Sequence, residues 1–151
     1  MARRVRRNRI HEGLYKSLTI VENDDYSFEL YKDVFMFAAC IGVMIGKREP
    51  FEETAETIDL SVFKESTDIP IIKAIALRET NDVDILVDSD ENWDARLKIV
   101  EEYANAGEVE LERLMKMPGN TLNSIIHLIW QQSKTKPAFE ETPLSSIVVD
   151  F

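Results

Sequence analysis

Apolar residues recur along much of this chain at three- and four-residue spacing, the period of a helix that buries one face. Ile10, Leu14, Leu18 and Val21 predict a first helix over about residues 10–21. After the polar, turn-like Glu22-Asn23-Asp24-Asp25, a second helix is expected to begin near Ser27 or Glu29 and to run through Tyr31, Val34, Phe37, Ile41 and Ile45. From Val34 to Ile45 it is apolar on every side, which marks a helix enclosed by others. Gly46 followed by Lys47 and Arg48 reads as its stop, with cations at the negative end of the helix dipole.

Residues 49–57 hold Pro50 and several acids and read as a solvated connection. Ile58, Leu60, Val62 and Phe63 form an apolar segment too short to separate strand from helical turn. Asp68 before Ile69-Pro70 is a helix start, since proline suits the first turn. The same ambiguity of strand and helix holds for residues 82–87, where a helical setting favours a short helix. Ser89 or Asp90 is expected to cap a helix that turns Trp93, Leu97, Val100 and Tyr103 or Ala104 inward. Gly107 should interrupt it, with Val109, Leu111, Leu114 and Met115 continuing a further stretch. Pro118-Gly119-Asn120 is a stop, before a last helix carrying Leu122, Ile125, Ile126, Ile129 and Trp130.

This pattern predicts an all-α fold: a compact bundle of about five to six helices around a buried central helix (approximately Glu29 to Gly46), with an irregular C-terminal tail. Residues 1–9 are expected to be a basic flexible arm, 10–134 a single helical domain and 135–151 the tail. The length of 151 residues suits one domain, and 44% hydrophobic against 30% charged residues is a globular balance. A single cysteine, Cys40, rules out an internal disulfide. The apolar run from Val34 to Ile45 is shorter than the ~20 residues that span a membrane, and it begins too late for a secretory signal. The cytosol is the expected location.

Charge changes the picture more than composition does. Arg3, Arg4, Arg6, Arg7 and Arg9 crowd the first nine residues, yet the whole chain carries −10. Without those arginines 13 basic residues face 28 acidic ones, a balance of −15. Such an acidic body repels nucleic acid over most of its surface. The arginine cluster is therefore the candidate DNA-binding element, although docking on an acidic protein face explains it equally well. The apolar end of the tail, with Ile147, Val148, Val149 and Phe151, is the candidate partner-binding element.

Other chemistry reads weakly. Gly42 to Arg48 lacks both the four-residue gap between glycines and the Ser or Thr of a Walker A loop. Its glycines suit close helix approach instead. Counting a calcium loop from Asp88 puts Trp93 and Ile99 where glycine and glutamate are needed. His11 and His127 are the only histidines, so a structural zinc site is not expected. His127 should be exposed or at an edge, and Cys40 should be an inert thiol buried among apolar neighbours. No Ser-His-Asp order suggests catalysis. An enzyme would need acids such as Asp33, Glu79 and Asp84 gathered near Lys47 or Arg78. No enzyme activity, cofactor or metal is expected.

An ordered set of segments carries a family resemblance. It comprises Lys32-Asp33-Val34-Phe35-Met36-Phe37-Ala38-Ala39-Cys40-Ile41-Gly42, then Gly46-Lys47-Arg48 and Pro50. Ala74-Ile75-Ala76-Leu77-Arg78-Glu79-Thr80 and Asp84-Ile85-Leu86 follow. Glu101-Glu102-Tyr103-Ala104-Asn105-Ala106-Gly107 and Pro118-Gly119-Asn120 with Leu122 complete it. From about Tyr31 to Ile129, this set resembles the Dnd system-associated protein 4 family, also called DNA phosphorothioation-associated protein 4. Ala106 departs from the pattern, where a second glycine is expected. The resemblance implies a bacterial or archaeal protein found beside genes that place sulfur in the DNA backbone, a mark used in antiviral defence. It brings no catalytic residues, and the arginine arm and the tail after Pro137 lie outside it. The expectation is a non-enzymatic accessory or regulatory protein that acts through protein subunits of that system, with DNA as a further contact through the arm. The alternative is an oligomerisation or interaction module that does not touch DNA.

Overall fold

The computed structural model describes residues 3–19 and 28–116, together with Asn123, Ile126, His127 and residues 129–131. Its helices are α1 (Glu12–Thr19), α2 (Tyr31–Ile45), α3 (Asp68–Thr80) and α4 (Asp90–Met115). Short 3-10 turns lie at Arg9–His11, Leu60–Val62 and Val83–Leu86. The fold is predominantly helical, with α2 packed along α4 at its centre. Residues 20–27, the 117–122 stop and the whole expected tail, including Ile147, Val148, Val149 and Phe151, lie outside the described residues. No helix among the described residues is long and apolar enough to cross a membrane.

Two glycines set the central packing. A Cβ on Gly42 would sit 2.0 Å from the Tyr103 carbonyl oxygen, and one on Gly107 would sit 1.7 Å from that of Ala38. Pairing of 42 with 103 and of 38 with 107 means that the two helices run in opposite senses. Gly107 therefore does not interrupt the helix: α4 is continuous over 26 residues, about 39 Å. Its glycine cost is offset by the backbone contact that only a missing side chain allows. Gly46 has a different task, ending α2 in the left-handed region at φ 68° while the Lys47 N–H reaches the Gly42 carbonyl at 3.0 Å.

Capping follows local chemistry. Ser89 Oγ accepts the Asn92 N–H at 3.1 Å to open α4, with Asp90 and Glu91 in its first turn. Pro70 sits in the first turn of α3, as its missing N–H allows. The undecided segments resolve in two ways. Residues 58–59 form β2, which pairs antiparallel with β1 (Arg4–Val5) in the register Arg4 to Asp59 and Val5 to Ile58. Residues 60–62 turn as a 3-10 helix, and so do 83–86. The core gathers Val34, Phe35, Ala38 and Ile41 of α2 with Leu97, Val100 and Leu111 of α4, Ile72 and Ala76 of α3, and Leu14 and Tyr15 of α1. Cys40 is only half-buried on α2, not enclosed as expected, and burial raises its thiol pKa. Ile126, His127, Ile129 and Trp130 are exposed.

Candidate functional site

The arginine-rich segment is not a free arm. Residues 3–11 lie along α4, making polar contacts in sequence order. Arg3 reaches Asp90 and, at 2.8 Å, Asp94. The Arg6 N–H donates to Glu101 at 2.5 Å, and the Asn8 amide to Asn105 Oδ1 at 2.9 Å. His11 Nδ1 meets Glu112 at 2.7 Å. An extended chain covers about 16 Å over the five steps from Arg3 to Asn8, ahead of the 3-10 turn. The helix covers about 16 Å from Asp94 to Asn105. The lengths match, so a polar strip can be read by a polar segment without a break.

That strip was legible in the sequence and overlooked. Asp90, Asp94, Glu101, Asn105, Glu108 and Glu112 recur at intervals of four, seven, four, three and four, which place them on one face of α4. The arginines also alternate as a strand requires: Arg4 and Arg6 face out, while Val5 and Arg7 face in.

Arg7 is the anchor, with its side chain 1% exposed. Its guanidinium lies 4.4 Å from the Tyr15 ring centroid and 4.8 Å from that of Tyr31. Nε and Nη2 donate to the Glu56 carbonyl at 3.1 and 2.8 Å, and Nη1 to Glu12 at 2.9 Å. A charge so enclosed is held by ring faces, a carboxylate and a carbonyl together. The Arg7 guanidinium is thus fully taken up inside this fold. Arg4 donates to Thr57 at 3.2 Å, Arg6 lies 5.0 Å over Phe51, and Arg9 fixes its backbone to the Glu53 carbonyl at 3.0 Å. The side chains of Arg4, Arg6 and Arg9 remain exposed.

Beside Arg7 lies a buried polar cluster. The Tyr15 hydroxyl donates to Glu108 Oε1, while Glu108 Oε2 has no hydrogen-bond partner and lies 3.8 Å from His11 Nε2. Burial, above all, raises the Glu108 carboxyl to about 8 and that of Glu101 to about 7. His11 presents both ring nitrogens to oxygens, Glu112 on one side and Asn105 Oδ1 at 3.0 Å on the other. The Asn105 amide donates to the Glu49 carbonyl at 2.9 Å, tying in the connection after α2. These contacts join four segments into one body.

A groove of about 830 Å³ opens between the 59–63 segment and the first turns of α3 and α4. Leu60, Phe63, Ile69 and Trp93 give it an apolar lining. Next to it, Arg96, 0% exposed, fastens the 3-10 turn before α4 by donating to the Ile85 carbonyl at 2.6 Å, that of Val87 at 2.8 Å and Asp88 at 2.9 Å. Asp88 also meets Lys73 at 3.3 Å. These pairs hold its carboxyl below the usual range.

The acids that an enzyme would need to gather are spread out. Asp33 pairs with Lys32 at 2.9 Å, and Glu79 takes Arg48 at 2.8 Å and the Tyr103 hydroxyl. Asp84 lies in the 3-10 turn. Among the described residues, no group of three or more His, Cys, Asp or Glu side chains is arranged to hold a metal ion.

A family model described as DNA sulphur modification system-associated protein 4 matches residues 4–147. The match takes in most of the arginine segment, which the sequence resemblance had left out. No curated protein and no solved structure gives a significant match.

Proposed function

The chain belongs to the DNA sulphur modification system-associated protein 4 family, and on that footing we propose a non-enzymatic accessory or regulatory protein that acts by docking on another protein of such a system. The setting proposed is the cytoplasm of a bacterium or archaeon, where the sulphur mark takes part in defence against foreign DNA. The observation that favours protein over DNA is the use of the arginine segment inside the fold. Arg3 is bound to Asp90 and Asp94, and Arg7 is enclosed by Tyr15, Tyr31 and Glu12. The remaining Arg4, Arg6 and Arg9 stand on an acidic body, a poor electrostatic match for a phosphate backbone.

A salt titration separates the two kinds of contact. Full-length protein is mixed with sulphur-modified and unmodified duplex over a range of ionic strength. The expected result is weak binding, equal for both duplexes and unchanged when Arg4, Arg6 and Arg9 are replaced by alanine. Tight binding with a steep salt dependence, lost in the triple variant, would restore the arginine segment as a DNA contact.

The exposed Ile126, Ile129 and Trp130 favour a second reading, an oligomerisation module in which this face, with the 147–151 end of the tail, joins copies of the chain. Light scattering on the full chain distinguishes it: a stable oligomer supports this reading, a monomer the first.

A further inference from the structure

We propose that the groove beside Trp93 receives a segment of a partner protein that presents arginine or lysine next to apolar side chains. This rests on the protein-docking reading and narrows it to one surface and one chemistry. The lining is mixed in the way such a segment requires. Phe63, Ile69 and Trp93 offer apolar and aromatic surface, and Asp59 and Glu65 offer carboxylates.

Of the two cations that also line the groove, Lys73 joins Arg96 in neutralising Asp88, which leaves Asp59 and Glu65 as its open carboxylates. Arg3 is taken up by Asp90 and Asp94 at the start of α4, both of them highly exposed. Glu65 has no ion pair among the described residues, so negative charge is in excess here.

Arg3 is the observation that identifies the occupant. It comes from a segment 87 and 91 residues away in sequence, lines the groove, and offers its guanidinium to two aspartates of α4 outside that lining. The chain's own arginine thus shows the contact that a partner's arginine would make along the rest of the groove. The Trp93 ring adds to this chemistry, with Arg96 at 4.7 Å and Lys73 at 5.9 Å from its centroid. Nucleic acid is the wrong occupant, because its phosphates would face the same carboxylates.

The test uses the isotope-labelled full chain and a short synthetic peptide that alternates arginine with leucine. Its binding is followed through the Trp93 indole N–H and the Phe63 and Glu65 amide signals. Saturable shifts at these positions are expected, and none with the peptide in which glutamate replaces arginine. Glu65→Lys should weaken binding about tenfold, while Glu53→Lys, exposed beside Arg9, should leave it unchanged. Equal weakening by both substitutions would mean diffuse attraction and would overturn the assignment. So would saturation of the same signals by duplex DNA, or a self-associated chain that Glu65→Lys turns into a monomer. If the peptide binds as expected but no protein of the modification system associates with the chain, the docking reading fails and the groove's chemistry stands. A partner complex unaffected by Glu65→Lys removes the groove alone.

Discussion

Glu108 concentrates the physical tension of the structure in one residue. One of its carboxylate oxygens takes the Tyr15 hydroxyl, and the other is buried without a partner. Burial disfavours charge there, so the folded protein holds the group neutral up to about 8. Below the ordinary carboxyl range both folded and unfolded chains carry the proton, and nothing is lost. As pH rises from there to about 8, only the unfolded chain gives the proton up, and stability falls. Glu101 acts in the same direction up to about 7. At the acid end, burial works against the Asp68 carboxylate, but Lys32 at 2.8 Å and the Lys64 N–H outweigh it. That contribution is lost as pH drops below the usual aspartate range, so stability should peak near pH 5. Urea unfolding should find the protein on the order of 2 kcal/mol less stable at pH 8 than at pH 5. Glu108→Gln should recover about 1–2 kcal/mol at pH 8 and flatten the slope. A flat profile in the unsubstituted protein, or a destabilised variant at pH 8, would contradict this.

At the scale of elements, the crossing of α2 and α4 carries the fold, and two glycines permit it. Gly107→Ala should cost about 2–3 kcal/mol, because the new Cβ meets backbone and not a side chain that can turn away. Gly13→Ala, within α1 and with open space around it, is the control that should hold the urea midpoint or raise it slightly. Equal midpoints for Gly107→Ala and the control would show that the helices do not meet there. The elements were legible where periodicity was long. The apolar run of α2, the left-handed end at Gly46 and the Ser89 cap could each be read from neighbours in sequence. Gly107 was misread because local propensity makes glycine a breaker, while its tertiary reason, the Ala38 carbonyl, lies on another helix. The β1–β2 pair was illegible for the same cause. Two residues carry no period, and the partner of Val5 is Ile58.

For the whole molecule, the charge totals were legible but their arrangement was not. Counting arginines at the start of the chain suggested a free arm, because composition does not say what a charge touches. The answer lay in the spacing of acids on α4, whose length matches that of the extended segment, and in the tyrosines that close on Arg7. The consequence is functional. With its basic segment laid on its own acidic helix, the protein keeps an acidic surface and a groove of mixed apolar and charged lining, the two features on which the proposal of a basic protein partner rests. The candidate site was thus visible in its parts, Arg3 and Trp93 among them, and became a site only when the fold brought residues 59–69 beside 88–94. The most direct measurement is co-purification of the tagged full chain from cells that carry a complete DNA sulphur modification system, with nuclease treatment before capture. The account predicts a complex of defined stoichiometry with another protein of that system, surviving the nuclease. Recovery of the chain alone, or of partners that disappear with the DNA, would contradict it.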